Sequence, residues 1–211
     1  MLAERIDAQL GPFDRAQLAA LVDVPRERFV RPADAGRADE DTPLALDDEG
    51  LATISAPHAY LLSFRLLDLR RGDRLAELGS GSGYGAALAS HIVGPEGSVV
   101  TTEIDPRLAA WAARTLAPIE NVRVVEGDAV EMPEALRGAQ KVVVTFAVTD
   151  VPRAWTDALP DGGVLVAPVG ARDRDQKLVR VRRAGSMLER TEHGAVRYVP
   201  NRSGQRKFVS Q

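Results

Sequence analysis

The spacing of apolar residues divides the chain into a helical first part and a second part in which strands and helices alternate. In the first part, apolar residues at helical spacing predict helices over Leu2–Leu10, Arg15–Val22 and His58–Leu69. In the second part, short apolar or β-branched runs alternate with helical segments. The predicted strands are Arg74–Leu78, Ser98–Glu103, Val122–Glu126, Lys141–Phe146, Val164–Val169, Gln176–Arg183 and Ala195–Pro200, and the predicted helices between them are Tyr84–Val93 and Pro106–Leu116.

Alternation of strands with helices is typical of βαβ units and predicts an α/β fold with a doubly wound, mostly parallel sheet. N-terminal helices precede the sheet, and two late strands are expected to complete it with an antiparallel edge. We expect a single domain over residues 1–211, in which residues 1–56 cover the site and residues 57–211 form the core and the C-terminal strands. The polar stretch Arg31–Leu51 is long for a structureless loop, so we expect it to be functional or partly mobile.

Composition and charge exclude several classes of function. The net charge of -3 comes from interleaved acidic and basic residues, so we expect no nucleic-acid partner. No apolar run reaches the roughly 20 residues of a membrane helix, so we expect no membrane partner. The chain has no cysteine and three scattered histidines, which indicates no metal site. We expect a cytoplasmic protein without a secretory signal and, because aromatic residues are few, a monomer.

One glycine-rich segment stands where a predicted strand ends and a helix begins. It contains Gly79, Ser80, Gly81 and Gly83. Glycine lets the backbone turn sharply and lets a ligand approach closely, because no Cβ intervenes. Open α/β sheets bind ligands beyond the carboxyl ends of their strands. The segment therefore predicts a cofactor site.

Two cofactors compete for this segment. The register from Gly81 to Ala86 satisfies the dinucleotide pattern G-x-G-x-x-A, and Glu103 ends the next strand, so spacing alone does not exclude NAD. S-adenosylmethionine explains more residues, because it also accounts for the acid before the glycines, Glu77, and the acid after the third strand, Asp128, which would meet the adenine amino group. We favour S-adenosylmethionine. The predicted cofactor-binding residues are Glu77, Gly79, Ser80, Gly81, Gly83, Glu103, Ile104, Asp128, Ala129 and Thr145.

The segment Ala52–His58, which reads Ala-Thr-Ile-Ser-Ala-Pro-His, resembles the protein-L-isoaspartate (D-aspartate) O-methyltransferases. Val24–Val30, Pro168–Gly170 and Val196–Pro200 are similar to that family too, so the resemblance covers nearly the whole chain. It implies the Rossmann-like fold of S-adenosylmethionine methyltransferases. It also implies carboxyl O-methylation of an isoaspartyl or aspartyl side chain in a protein or peptide, leading through the methyl ester to a succinimide.

The resemblance also implies roles for individual residues. Ser55 would be the catalytic residue, placed at the methyl donor and the substrate carboxylate. The implied substrate-binding residues are Thr53, Ser55, His58, Val199 and Pro200. The sequence pattern by itself favours a simpler interpretation, in which Ser55 caps the following helix and His58 is a first-turn residue.

The chemistry needs no acid or base. A carboxylate with an ordinary pKa of about 4 is ionised at neutral pH, so its methylation requires positioning and exclusion of water. The chain departs from the family at Phe146–Asp150, where relatives have small residues, at the acidic Asp47–Glu49 and at Asn201-Arg202. These departures leave three alternatives open: a dedicated aspartyl methyltransferase that forms an aspartimide in one partner peptide, a small-molecule methyltransferase, or a non-catalytic cofactor-binding relative.

Overall fold

A computed structural model describes residues 1–171 and 176–203, apart from the side chains of residues 133 and 134. Short 3₁₀ turns lie at Arg26–Phe29, Pro32–Arg37 and Pro133–Leu136. The α-helices of the described residues are α1 (Leu2–Leu10), α2 (Arg15–Asp23), α3 (Pro57–Leu67), α4 (Tyr84–Val93), α5 (Pro106–Leu116) and α6 (Arg153–Ala158). The strands are β1 (Leu44–Ala45), β2 (Thr53–Ile54), β3 (Arg74–Leu78), β4 (Ser98–Glu103), β5 (Val122–Glu126), β6 (Lys141–Val144), β7 (Val164–Val169), β8 (Gln176–Ala184) and β9 (Met187–Val196).

Strands β3 to β9 form one twisted sheet in the order β5-β4-β3-β6-β7-β8-β9. Strands β3 to β7 are parallel, and β8 and β9 are antiparallel additions at one edge. The prediction of a doubly wound, mostly parallel sheet with an antiparallel edge is therefore confirmed. The chain runs outward from β3 in both directions, which opens a crevice at the carboxyl ends of the central strands.

Local sequence explains the helices that flank this crevice. Helix α5 begins at Pro106, whose missing N–H is not needed in a first turn, and Asp105 caps it by accepting the N–H of Arg107 at 2.9 Å. Helix α4 is buried along almost its whole length, because it packs between the sheet and α2. That burial accounts for its run of alanine and other apolar residues.

Two basic side chains from the sheet hold the C-terminal end of α3. Lys141 Nζ donates to the carbonyl of Leu67 at 2.7 Å, and Arg180 Nε donates to the carbonyl of Leu66 at 2.8 Å. Cations at a helix C-terminus satisfy carbonyls that have no partner within the helix. Helix α3 is therefore fixed against the sheet, and its other end begins next to the family-like segment.

Three predicted elements differ from the structure by two residues or more. Helix α3 ends at Leu67 because Asp68 takes a left-handed conformation with a φ of 52°. Strand β6 ends at Val144, and the hydroxyl of Thr145 turns back to the carbonyl of Gly79. The predicted strand Ala195–Pro200 is wrong in its bounds, since β9 ends at Val196. Nearly all of β9 is exposed, so it has no apolar alternation to reveal it.

The polar stretch Arg31–Leu51 is organised by one buried side chain, that of Arg26. Its guanidinium donates to four carbonyl groups, those of Ala38 at 3.2 Å, Glu40 at 2.9 Å, Thr42 at 2.7 Å and Ser55 at 3.1 Å. Strands β1 and β2 then pair as a two-residue ribbon. Among the residues that the structure describes, no helix is both long and apolar enough to cross a membrane.

We expect Arg26→Met to destabilise the protein by about 3 kcal/mol, because four carbonyl groups lose a charged donor. Urea unfolding measures this loss, and limited proteolysis should show faster cleavage between residues 38 and 55. Arg37→Met is the matched control, since Arg37 is half exposed and pairs with Glu40 at the surface. Equal destabilisation by the two changes would contradict the role given to Arg26.

Candidate active site

A cavity lies at the carboxyl ends of β3, β4, β5 and β6. Two segments cover it, residues 51–55 on one side and residues 199–202 on the other. The other described residues that line it are Tyr60, Gly79, Ser80, Gly81, Thr102, Glu103, Ile104, Leu108, Gly127, Asp128, Ala129, Thr145 and Phe146.

The glycine loop is locked by its neighbours on the sheet. Gly79 has a φ of +100°, and a Cβ there would overlap the hydroxyl of Thr145 and lie 3.0 Å from the ring of Phe146. The Thr145 hydroxyl donates to the carbonyl of Gly79 at 2.5 Å. Gly83, with a φ of +96°, is required for packing, since a Cβ there would lie 2.8 Å from Leu116. Gly83 lies outside the cavity lining, so its predicted cofactor contact is not supported by this geometry.

Two acids reach the cavity from the ends of neighbouring strands. Glu103 Oε2 accepts the N–H of Gly81 at 2.8 Å, and Oε1 accepts the N–H of Asp105 at 3.0 Å. Burial raises the pKa of Glu103, and these two N–H donors oppose the rise. Asp128 Oδ1 accepts the N–H of Val130 at 3.0 Å. Both carboxylates keep lone pairs for a ligand, because each has about four acceptor sites.

Glu77, the third predicted acid, lies beneath the loop and outside the cavity lining. Its carboxyl accepts the hydroxyl of Thr101 at 2.6 Å and the N–H of Ala86. Thr101 also forms a hydrogen bond of 2.6 Å with the hydroxyl of Ser80. Because the Ser80 side chain is engaged in this bond, Ser80 presents its backbone groups to the cavity. Burial raises the pKa of Glu77 to about 8. The hydrogen bond from Thr101 opposes this rise, and the negative charge of Glu103 adds to it. Glu77 therefore supports the loop from below, and its predicted contact with a cofactor is not supported by this geometry.

Ser55 lines the cavity together with Thr53. The alternative interpretation of Ser55 as a helix cap is wrong, because α3 has Ala56 as its N-cap and Asp41 accepts the N–H of His58 at 3.0 Å. The ring of His58 also turns to Asp41, with Nδ1 3.0 Å from a carboxylate oxygen. His58 lies outside the cavity lining, so the geometry does not support it as a substrate-binding residue.

Residues 199–202 form part of the cavity lining. Ala147 donates its N–H to the carbonyl of Val199 at 2.8 Å and accepts the N–H of Asn201 at 2.9 Å. Val199 and Pro200 are thereby brought into the lining, as predicted. Arg202 Nη2 lies 3.6 Å from Asp105 Oδ2. Among the lining residues that the structure describes, Arg202 is the only cation.

Sequence reasoning missed Tyr60 and treated Phe146 only as a departure from the family. Tyr60 is buried, and its hydroxyl accepts the N–H of Ser55 at 3.3 Å. The available signal was a hydroxyl within the apolar face of α3, one turn after Ser55. Phe146 stacks edge-to-face on Trp155 at 6.2 Å, and Trp155 in turn donates to the carbonyl of Ala129 at 3.0 Å. No group of three or more potential metal ligands occurs in the described parts of the chain.

Comparisons with known proteins agree with this geometry. A family model described as protein-L-isoaspartate(D-aspartate) O-methyltransferase (PCMT) matches residues 9–206. The protein-L-isoaspartate O-methyltransferase of Bradyrhizobium sp. (strain ORS 278) is 36% identical over 202 residues, which cover 95% of this chain and 92% of the relative.

Two solved structures have a similar fold. One, of a protein-L-isoaspartate O-methyltransferase, is 28% identical with a TM-score of 0.84; the match covers 94% of this chain and 64% of that one, a little under two thirds of its length. The other, a Plasmodium falciparum protein described as a protein-L-isoaspartate O-methyltransferase, is in complex with S-adenosyl-L-homocysteine. It is 21% identical with a TM-score of 0.81, and the match covers 95% of this chain and 96% of that one.

Glu77 makes the stability of the fold depend on pH. Between its ordinary pKa of 4.5 and the raised value of about 8, the unfolded chain has Glu77 ionised while the folded protein keeps it protonated. The free energy of unfolding therefore falls as pH rises through this window. Glu77→Gln has no proton to lose, so its melting temperature relative to the wild type should rise by about 5–10 °C from pH 5 to pH 8.

Calorimetry at several pH values measures this difference. Glu96→Gln, at an exposed glutamate, controls for the loss of one carboxylate. Parallel pH profiles for Glu77→Gln and the wild type would show that Glu77 is ionised in the folded protein.

Proposed function

The chain belongs to the protein-L-isoaspartate (D-aspartate) O-methyltransferase family, and from that premise we propose that it methylates the carboxylate of isoaspartyl residues in proteins or peptides. It is an S-adenosylmethionine-dependent O-methyltransferase. One observation carries the proposal: Ser55 and the glycine loop line the same cavity. A donor side and an acceptor side thus meet in one place, as a methyl transfer between two bound molecules requires.

The residues of the cavity fit S-adenosylmethionine. Glu103 has acceptor sites left for two ribose hydroxyls, and Asp128 has one oxygen left for the adenine amino group. The backbone of Gly79 to Gly81 would lie along the methionine part. When bound, this cofactor supplies a methyl group on a sulfonium, an electrophile that needs no activation by the protein. Family membership decides between the two cofactors that glycine spacing had left open.

The side chains of the acceptor half position a carboxylate and exclude water from it. Ser55 donates a hydrogen bond to the substrate carboxylate, which holds one oxygen in place. Ile54, Phe146 and Pro200 form apolar walls that keep water from solvating the other oxygen. The acceptor is ionised at neutral pH, so no residue has to remove a proton. A cavity without a catalytic base is what this reaction needs.

The steps after methyl transfer need no side chain of this protein. The nitrogen of the following backbone amide attacks the ester carbonyl, the amide proton is lost and methanol leaves, which closes a succinimide. Water then opens the succinimide, partly to normal aspartate. Methylation thus drives repair by turning a poor leaving group into a good one.

We extend the proposal to the setting of the enzyme. It would act in the cytoplasm as a monomer, without nucleic acid. Residues 1–56 would cover the site within a single domain. The contacts of Arg26 support this, since they join the polar stretch to Ser55.

A second candidate is methylation of an aspartate in one dedicated peptide, leading to an aspartimide. The observation that favours it is Phe146, a large side chain that lines the cavity and packs against Trp155. A narrower cavity would select its acceptor by shape. The peptide pair described next separates the two candidates.

We expect the enzyme to methylate an isoaspartyl peptide and to leave its aspartyl twin of the same sequence largely unmodified. Transfer of a labelled methyl group to each peptide, at matched concentrations, measures this preference. Methylation of the aspartyl twin alone would favour the dedicated candidate. Methylation of neither peptide would contradict the proposed function and point to a small-molecule acceptor.

We expect Asp128→Ala to weaken binding of S-adenosylhomocysteine about tenfold, because the adenine amino group loses its acceptor; this corresponds to about 1.4 kcal/mol. Titration calorimetry measures the dissociation constant. Asp150→Ala is the control, since Asp150 is an exposed acid outside the cavity lining and pairs with Arg190 at 2.7 Å. Unchanged affinity in Asp128→Ala would show that Asp128 does not bind adenine.

A further inference from the structure

The main chain of Ser55 is held at two atoms by two buried side chains. Its N–H donates to the hydroxyl of Tyr60 at 3.3 Å, and its carbonyl accepts from Arg26 Nη2 at 3.1 Å. Both contacts are made by the main chain of Ser55, and together they fix where its backbone lies.

The direction of both hydrogen bonds follows from their donors. The Ser55 N–H donates to the Tyr60 oxygen, and the Ser55 carbonyl accepts from Arg26, which carries donors only. Neither contact uses the Ser55 hydroxyl, so that hydroxyl can donate its proton to an acceptor in the cavity.

Packing fixes the Tyr60 ring and therefore fixes the position of its hydroxyl oxygen. The ring meets Tyr84 edge-on at 5.6 Å and lies 6.4 Å from Phe64. Gly85 gives it room, since a Cβ there would lie 2.7 Å from the Tyr60 ring. Tyr60 is 7% exposed, and burial raises its pKa, so the hydroxyl keeps its proton at neutral pH.

We propose that Tyr60 is a positioning residue for methyl transfer: its hydroxyl holds the main chain of Ser55 and thereby places the Ser55 hydroxyl at the acceptor carboxylate. The inference deepens the proposed function and rests on it, because it assigns Ser55 to the carboxylate. A carboxylate bound in an apolar cavity needs a donor already in place, since any reorientation of that donor adds to the barrier. Tyr60 keeps that donor in place without touching the reacting atoms.

Tyr60→Phe removes the hydroxyl and keeps the packed ring. We expect kcat for the methylated peptide to fall about tenfold, with the dissociation constant of S-adenosylhomocysteine unchanged within about twofold. Tyr84→Phe is the matched control, because Tyr84 is a buried tyrosine packed on the Tyr60 ring that is not among the lining residues. Equal loss of kcat in both variants would mean a packing effect and would overturn the proposal.

Coupling to Ser55 is the decisive measurement. If Tyr60 acts through Ser55, Tyr60→Phe should reduce kcat in the wild type but change it less than about twofold when Ser55 is already alanine. Two independent reductions that multiply in the double variant would overturn the proposal. A Tyr60→Phe enzyme with the full kcat of the wild type would overturn it as well.

A readout without turnover separates this inference from the proposed function. In Tyr60→Phe the Ser55 amide loses its acceptor, so its hydrogen exchange should become at least about tenfold faster than in the wild type, which is not expected for Tyr84→Phe. If the wild type methylates neither peptide, the proposed function fails, and this exchange rate still reports whether Tyr60 holds Ser55. An unchanged exchange rate would overturn the inference even in an active enzyme.

Discussion

The buried guanidinium of Arg26 is the interaction on which the acceptor side of the site depends. It binds four carbonyl groups, three from the polar stretch and one from Ser55, and it lies 6.0 Å from the Tyr84 ring centre. A buried cation must be surrounded by acceptors, so the backbone has to wrap around it. The polar stretch thereby becomes an ordered cover, and Ser55 is placed above the glycine loop.

The two sides of the cavity are built by different kinds of contact. The donor side is made by the sheet itself: the glycine loop is hydrogen-bonded to the end of β4, and Glu103 bonds the N–H of Gly81. The acceptor side is made by side chains from outside the sheet, Arg26 and Tyr60, and by a segment bonded to Ala147. The sheet thus forms the proposed donor side, while contacts from outside the sheet form the proposed acceptor side.

Three carboxyl groups with similar chemistry have different roles because they differ in burial. Glu103 and Asp128 reach the cavity with lone pairs to spare, whereas Glu77 is enclosed beneath the loop and has its pKa raised to about 8 by burial. A neutral Glu77 accepts from Thr101 and Ala86 and links β3 to β4 and α4. The same residue type therefore supports the loop in one place and offers acceptors to a ligand in two others.

The sequence by itself determined the alternating fold and the strand ends that carry Glu103 and Asp128. These features follow from periodicity and from glycine, which act over a few neighbouring residues. The cofactor class follows from membership of the family, because glycine spacing alone also allows NAD. It did not reveal β9, which is almost wholly exposed, nor that Glu77 and His58 lie outside the cavity. Only the tertiary structure decided that Arg26 and Tyr60 hold Ser55 and that Asp41, rather than Ser55, caps α3. Arg26 lies 29 positions from Ser55, and Asp41 lies 17 positions from His58, so no local pattern encodes these two contacts. The contact of Tyr60 depends on where its hydroxyl lies, which no local pattern encodes either.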